Sequence, residues 1–252
     1  MKGLSIVNKS GKRLSALISR PSQTPSPVVV VCHGFKGSKE SHGKAFEMAD
    51  LLAERGFACL LFDFAGCGES EGNFEDISLS GHISDLECVV DFAVASGFGP
   101  IITMGRSFGG STVLCHAASD SRVDGVCAWA APVSLTELFL GFTDEDLPEG
   151  EDSLVTISDS DGILYLKKSF FSDLRRHDVA RCSSLISPRP LMIFHGTMDS
   201  VVPPADGELI YRSAGKPKDI AFIEGADHLF SNHYRELWEM LFQWLQKYFP
   251  QA

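Results

Sequence analysis

"PIITMGRSFGGSTVLCHAAS", residues 100–119, decides how the rest of the chain is read. An apolar, β-type run ends at Gly105, and a helix-compatible run follows from Ser111. The chain must therefore turn from strand to helix at Ser107, with Gly105 and Gly109 removing side chains where such a turn crowds its neighbours. A serine on that elbow presents its hydroxyl at a strand end, where a nucleophile has to stand. G-x-S-x-G is short enough to arise by chance in a chain with 23 glycines, so its meaning depends on residues elsewhere.

A serine hydroxyl is a weak nucleophile at neutral pH. Acyl transfer needs an imidazole base, an acid that orients it, and N–H donors for the developing oxyanion. Three other strand ends supply candidates. Asp199 stands in "PLMIFHGTMDSVVP" (190–203), just past an apolar strand, where open α/β sheets place their ligand sites. His228 stands in "AFIEGADHLF" (221–230), again between a strand and a helical pattern, giving the order Ser, Asp, His. "VVVVCHGFKGS" (28–38) ends a strand in a His-Gly turn, and the following N–H of Phe35 can join that of Phe108 as an oxyanion donor. His33 and His195 read as structural, His33 holding that loop. Asp63, after "FACLLF", and Glu137 are alternative acids.

These sites hang on a regular alternation. β-type runs recur at "LSIVN", "RLSALISR", "PVVVVCHG", "FACLLFDF", "PIITMG", "VDGVCAWAAP", "PLMIFHG" and "DIAFIEG". Most of the later ones are continuously apolar, as strands of a parallel sheet covered on both faces are. Between them, Leu79, Ile83, Leu86, Val90 and Ala93, and later Leu237, Leu241, Trp244 and Tyr248, recur at helical spacing. The expectation is an α/β fold with a mostly parallel central sheet of about eight strands and helices on both faces. The polar link "NKSGKR" makes the first two strands an antiparallel edge hairpin. Residues 134–184 break the rhythm with "DEDLPEGED", "GILYLKKSFF" and Arg175, Arg176 and Arg181. We expect a helical lid inserted there into a core of residues 1–133 and 185–252. A solvated surface excursion is the plainer reading of its charge runs, and both can hold in different parts.

Composition excludes several functions. A net charge of −11 leaves no basic stripe for nucleic acid or anionic lipid, so a small-molecule substrate is expected. No apolar run has membrane-spanning length and the first residues lack a signal-peptide core, which predicts a soluble, cytoplasmic protein. Seven cysteines without a C-x-x-C pair read as reduced thiols, not a disulfide framework. Cys32 and Cys67 lie near the expected crevice but on no elbow, so they read as inert. His228 and His233, five apart, do not stack on one helix face, and no third ligand has zinc-site spacing. Neither a P-loop nor G-x-G-x-x-G is present. No metal or cofactor is expected, and pairing into a homodimer is left open.

With these motifs assembled, the sequence resembles the α/β-hydrolase superfamily: "HGF", "DFAGCGES", "GRSFGG", "HGTMD" and "GADH" fall in that family's order over nearly the whole chain. Within it the chain is most similar to the bacterial cinnamoyl or feruloyl esterases, through "FDFAGCGESEGNFEDISLSGHISDLECVVDFA" and the insertion after "AWAAP". The resemblance implies Ser107 as acylated nucleophile, His228 as general acid and base, Asp199 as its orienting partner, and the Phe35 and Phe108 N–H groups as oxyanion hole. It implies a carboxylic ester with a small or aromatic acyl group, such as a hydroxycinnamoyl group, as substrate. It also implies a substrate contact from the lid, at Tyr165 by position, or at Asp144 or Asp146. Arg106, Phe108 and Cys67 depart from the esterase pattern, where relatives often carry His, Gln and His. An aminopeptidase or amidase is the rival reading, since the acid cluster at 144–152 could hold a free amine. A ligand-binding protein without turnover is another.

Overall fold

The computed structural model describes residues 1–22, 25–159 and 162–251. β1 (Lys2–Val7) and β2 (Arg13–Ser19) open the chain, followed by β3 (Val28–Cys32), α1 (Lys44–Glu54), β4 (Ala58–Phe62) and α2 (Leu79–Ala95). β5 (Ile101–Arg106), α3 (Phe108–Ala117) and β6 (Gly125–Trp129) come next. After β6 lie α4 (Leu135–Leu140), β7 (Leu154–Asp159), β8 (Gly162–Lys167), α5 (Lys168–Leu174) and α6 (Val179–Ser184). β9 (Leu191–Gly196), α7 (Pro204–Ser213), β10 (Lys218–Ile223) and α8 (Tyr234–Tyr248) complete the chain.

Eight strands form one sheet in the order β1-β2-β4-β3-β5-β6-β9-β10. β1 pairs antiparallel with β2, and β2 antiparallel with β4; every other pairing is parallel. All eight expected strands and the edge hairpin are present. The parallel strands read as unbroken apolar runs because both sheet faces are covered. On β3, Val28 and Val30 pack toward α2 and α3, while Val29 packs toward α1 and α8, and all three are fully buried. Each such side chain contributes about 1.5–3 kcal/mol of hydrophobic stabilisation. β5 alternates likewise: Ile101 faces α2 and α3, Ile102 and Met104 face α1 and α8. The two helical stripes fold as expected into α2 and α8, burying Leu79, Leu86, Val90 and Ala93, and Leu237, Leu241 and Trp244.

The extra elements between β6 and β9 resemble a lid, but they are not wholly helical. β7 and β8 form a separate antiparallel pair. The reason lies in a period of two: Val155, Ile157 and Leu166 are buried, whereas Leu154, Ile163 and Tyr165 are exposed. α5 then sinks Phe170 and Phe171 into the core, and Asp173 accepts hydrogen bonds from the backbone N–H (2.9 Å) and hydroxyl (2.6 Å) of Ser80 on α2. The insertion is thereby tied to the body of the fold.

Candidate active site

β5 delivers Ser107 to the elbow between strand and helix. Ser107 has φ 55° and ψ −123°, a backbone conformation that L-residues rarely adopt and that costs of order 1–3 kcal/mol. It is held there because the Ser107 N–H donates to the Trp129 carbonyl at 2.8 Å and its own carbonyl accepts from the Ser111 N–H at 3.1 Å. The neighbouring glycines are needed for close approach. A Cβ on Gly105 would run into the Gly109 carbonyl, and one on Gly109 into the carbonyls of Cys32 and His33. We therefore expect Gly109→Ala to lower stability by at least about 2 kcal/mol in urea unfolding, because backbone, not a flexible side-chain tip, is in the way. An unchanged midpoint would show that β3 and α3 can separate freely.

Three side chains from three strand ends meet at this elbow. His228 Nε2 lies 3.0 Å from Ser107 Oγ, and His228 Nδ1 lies 2.8 Å from Asp199 Oδ2. A carboxylate only accepts, so Nδ1 carries the proton and Nε2 is left to accept from the serine hydroxyl. Asp199 is fixed from its other side, Oδ1 accepting the N–H groups of Val201 (2.9 Å) and Val202 (2.8 Å). His195, fully buried, donates through Nε2 to the Val202 carbonyl at 3.0 Å and stands 3.4 Å from Asp199 Oδ2. Burial opposes ionisation of Asp199, but the hydrogen bonds from His195 and His228 outweigh it and hold the carboxyl well below the usual carboxylate range.

The β3 loop runs alongside. A Cβ on Gly34 would lie 3.2 Å from the Arg106 carbonyl and 3.3 Å from Ser107 Cβ, which brings Phe35 beside the serine. Phe108 is the first residue of α3, so its N–H is one that the helix itself does not use. His33 braces this loop: Nδ1–H donates to the Gly34 carbonyl at 2.9 Å and Nε2 accepts the Phe64 N–H at 3.3 Å. Burial lowers its pKa, consistent with the neutral ring that this pairing requires. The Phe108 ring is fully buried and meets Phe35, His82, Phe139 and Phe170 at centroid distances of 5.1–6.3 Å. This residue, odd in the sequence, is thus a packing link between α3, the β3 loop, α2 and the insertion.

A cleft of about 450 Å³ opens over Ser107 and His228, within the range of small-molecule sites. Phe35, Leu138, Phe139, Phe142 and Leu229 give it an apolar wall, and Lys36 and Arg106 also line it. Leu138, Phe139 and Phe142 come from the insertion. Sequence reasoning missed them, although the spacing of Leu135, Leu138 and Phe139 marks a short amphipathic helix. Tyr165 is not among the lining residues: the β7–β8 pleat turns it outward, opposite Thr156 and 54% exposed. Asp144 and Asp146 are exposed and do not line the cleft either. Asp63 is buried in an ion pair with Lys39 (2.8 Å), and Glu137 lies exposed on α4. Cys32 and Cys67 are buried, which raises both thiols, that of Cys67 to about 12.

A family model described as "alpha/beta hydrolase fold" matches residues 27–156, more than half of the chain. The chain belongs to the α/β-hydrolase family. Among curated members, this hydrolase is 29% identical over 229 residues to the uncharacterized protein YfhR of Salmonella typhimurium, covering 87% of this chain and 70% of that one. It is 28% identical over 186 residues to the human mitochondrial palmitoyl-protein thioesterase ABHD10, covering 71% of this chain and 58% of that one. Among solved structures, Est1E of Butyrivibrio proteoclasticus with bound ferulic acid superposes at a TM-score of 0.86 and 23% identity, over 98% of this chain and 99% of that one. Among the described residues, no helix is long and apolar enough to cross a membrane.

Proposed function

We propose that this α/β-hydrolase is a serine hydrolase that cleaves a carboxylic ester with a small or aromatic acyl group through an acyl-enzyme. The observation that carries the reading is the hydrogen-bonded relay Ser107 Oγ, His228, Asp199, with Nε2 free to accept the serine proton. In this reading His228 takes the Ser107 proton as Oγ adds to the ester carbonyl, and Asp199 stabilises the imidazolium that results. The N–H groups of Phe35 and Phe108 receive the oxyanion. His228 returns the proton to the departing alcohol. Water, activated by the same imidazole, then releases the acid and restores Ser107.

The apolar wall of the cleft suits an acyl group, and two relatives point the same way: one is named a thioesterase, and one was solved with ferulic acid bound. Residues 134–184 would act as a lid, since Leu138, Phe139 and Phe142 reach the cleft from that segment. Peptidase or amidase action on a free amine is disfavoured, because among the described residues no carboxylate lines the cleft. A fluorophosphonate probe at neutral pH is expected to label Ser107, and the protein is expected to hydrolyse p-nitrophenyl esters but not peptide p-nitroanilides. Absence of labelling would remove the enzyme reading, and faster release from the anilides would replace it with the peptidase.

A further inference from the structure

Arg106, beside the nucleophile, is not used by the mechanism above. It is the last residue of β5, in register with Trp129 of β6. The alternation that sends Ile102 and Met104 toward α1 and α8 sends Arg106 to the same side, away from the Phe108 cluster. It is half-buried, and among the described residues it makes no hydrogen bond or ion pair. A guanidinium offers five donors, and holding it partly out of water without a partner is unfavourable unless something else pairs with it.

Its surroundings define what that partner is. Arg106 lines both the cleft over Ser107 and a smaller recess of about 50 Å³ beside it, whose mostly apolar lining also includes Ser38, Ser41 and Tyr234. Two other cations reach the recess, but both are neutralised. Lys39 pairs with Glu40 (2.9 Å), Asp63 (2.8 Å) and Glu69 (2.7 Å), and Lys44 with Glu47 (3.2 Å). Of the described residues that line the cleft, none is Asp or Glu, so no carboxylate of the lining meets the Arg106 guanidinium, on a chain whose net charge is −11. A guanidinium in the cleft of an otherwise acidic protein favours an anionic ligand there.

We infer that the substrate is an ester bearing a carboxylate, and that Arg106 binds this carboxylate while Ser107 attacks the ester carbonyl. Arg106 and Ser107 line the same cleft, so carboxylate and ester belong to one small substrate, as in half-esters of small dicarboxylic acids. The planar guanidinium matches both carboxylate oxygens, a geometry that an ammonium group does not reproduce. The inference rests on the hydrolase reading above, and its test separates the two.

Hydrolysis is followed by pH-stat with ethyl hydrogen glutarate, whose carboxylate is in the acyl half, 4-acetoxybutyrate, whose carboxylate is in the alcohol half, and neutral ethyl valerate. Active enzyme is counted by fluorophosphonate titration. One carboxylate ester is expected to exceed the neutral ester in kcat/KM by roughly 10- to 100-fold. That ratio should fall to near one in Arg106→Gln, survive in part in Arg106→Lys, and shrink with added salt in the unmodified protein, which needs no variant to fold. Equal rates on all three esters, a ratio that persists in Arg106→Gln, or probe labelling without hydrolysis of either carboxylate ester would overturn the inference alone. No labelling and no hydrolysis would remove the hydrolase reading, and this inference with it.

Discussion

Replacing Ser107 with Ala is expected to lower kcat for ester hydrolysis by roughly a millionfold, while the far-ultraviolet circular dichroism spectrum and the urea midpoint stay close to those of the unmodified protein. The two halves of this expectation rest on different parts of the structure. In the proposed mechanism Ser107 Oγ supplies the attacking oxygen, and His228 Nε2 at 3.0 Å is its hydrogen-bond partner. With the hydroxyl gone, no acyl-enzyme can form, and the oxyanion donors and imidazole are left to assist only a direct attack by water. The backbone is held independently of the hydroxyl, by the Ser107 N–H on the Trp129 carbonyl and by the tight contacts around Gly105 and Gly109. Ala tolerates φ 55° no better and no worse than Ser, so the stability change should stay within about 1 kcal/mol. Loss of activity together with a large fall in midpoint would mean that the serine holds the elbow together. Activity retained in a purified, folded variant would remove Ser107 from the reaction.

How much of this was legible in the sequence follows from what each pattern has to satisfy. The sheet was readable because Val28 to Val30, Leu60 to Phe62 and Leu191 to Phe194 are buried on both faces, which leaves an unbroken apolar run between turn residues. Ser107, Asp199 and His228 were readable as candidates because each lies within a few residues of the end of a strand, β5, β9 and β10 in turn. The same rule places all three at one edge of the sheet, and their side chains hydrogen-bond there. The β7–β8 pair was missed, since its charged flanks "DEDLPEGED" and "KK" hid the alternation of Val155 and Ile157. The same pleat turns Tyr165 outward, whereas the family resemblance implies a substrate contact there. The flanks of the nucleophile show a second limit. Arg106 and Phe108 looked equally odd in one dimension, yet a two-residue step across the elbow sends one ring into the aromatic cluster under the insertion and one guanidinium to the opposite face of the sheet. Only the strand's alternation, not its composition, separates a packing residue from one that lines the cleft.

Asp199→Asn is expected to lower kcat by about 10⁴-fold with the fold intact. Oδ1 of Asp199 accepts two backbone N–H groups, those of Val201 and Val202. In the variant these donors fix the amide orientation: its oxygen stays on Val201 and Val202, and its NH₂ takes the place of Oδ2. That NH₂ then faces His228 Nδ1 at 2.8 Å and His195 Nε2–H at 3.4 Å. Toward His228 the new donor forces the proton from Nδ1 to Nε2, so the ring offers a donor to Ser107 Oγ where the reaction needs an acceptor. Toward His195 it sets donor against donor, because His195 Nε2 already carries the proton given to the Val202 carbonyl. Only the flipped amide, its oxygen toward the histidines, would satisfy both, and it would set the NH₂ against the N–H groups of Val201 and Val202; in either orientation the neutral side chain no longer stabilises the imidazolium. Pre-steady-state kinetics with a p-nitrophenyl ester should show the loss in the acylation burst, since the proton leaves Ser107 in that step. The same substitution at Asp63 would instead break the buried pair with Lys39 at 2.8 Å and should lower the unfolding midpoint first. A burst rate unchanged in Asp199→Asn, with loss of rate in a folded Asp63→Asn variant, would transfer the orienting role to Asp63.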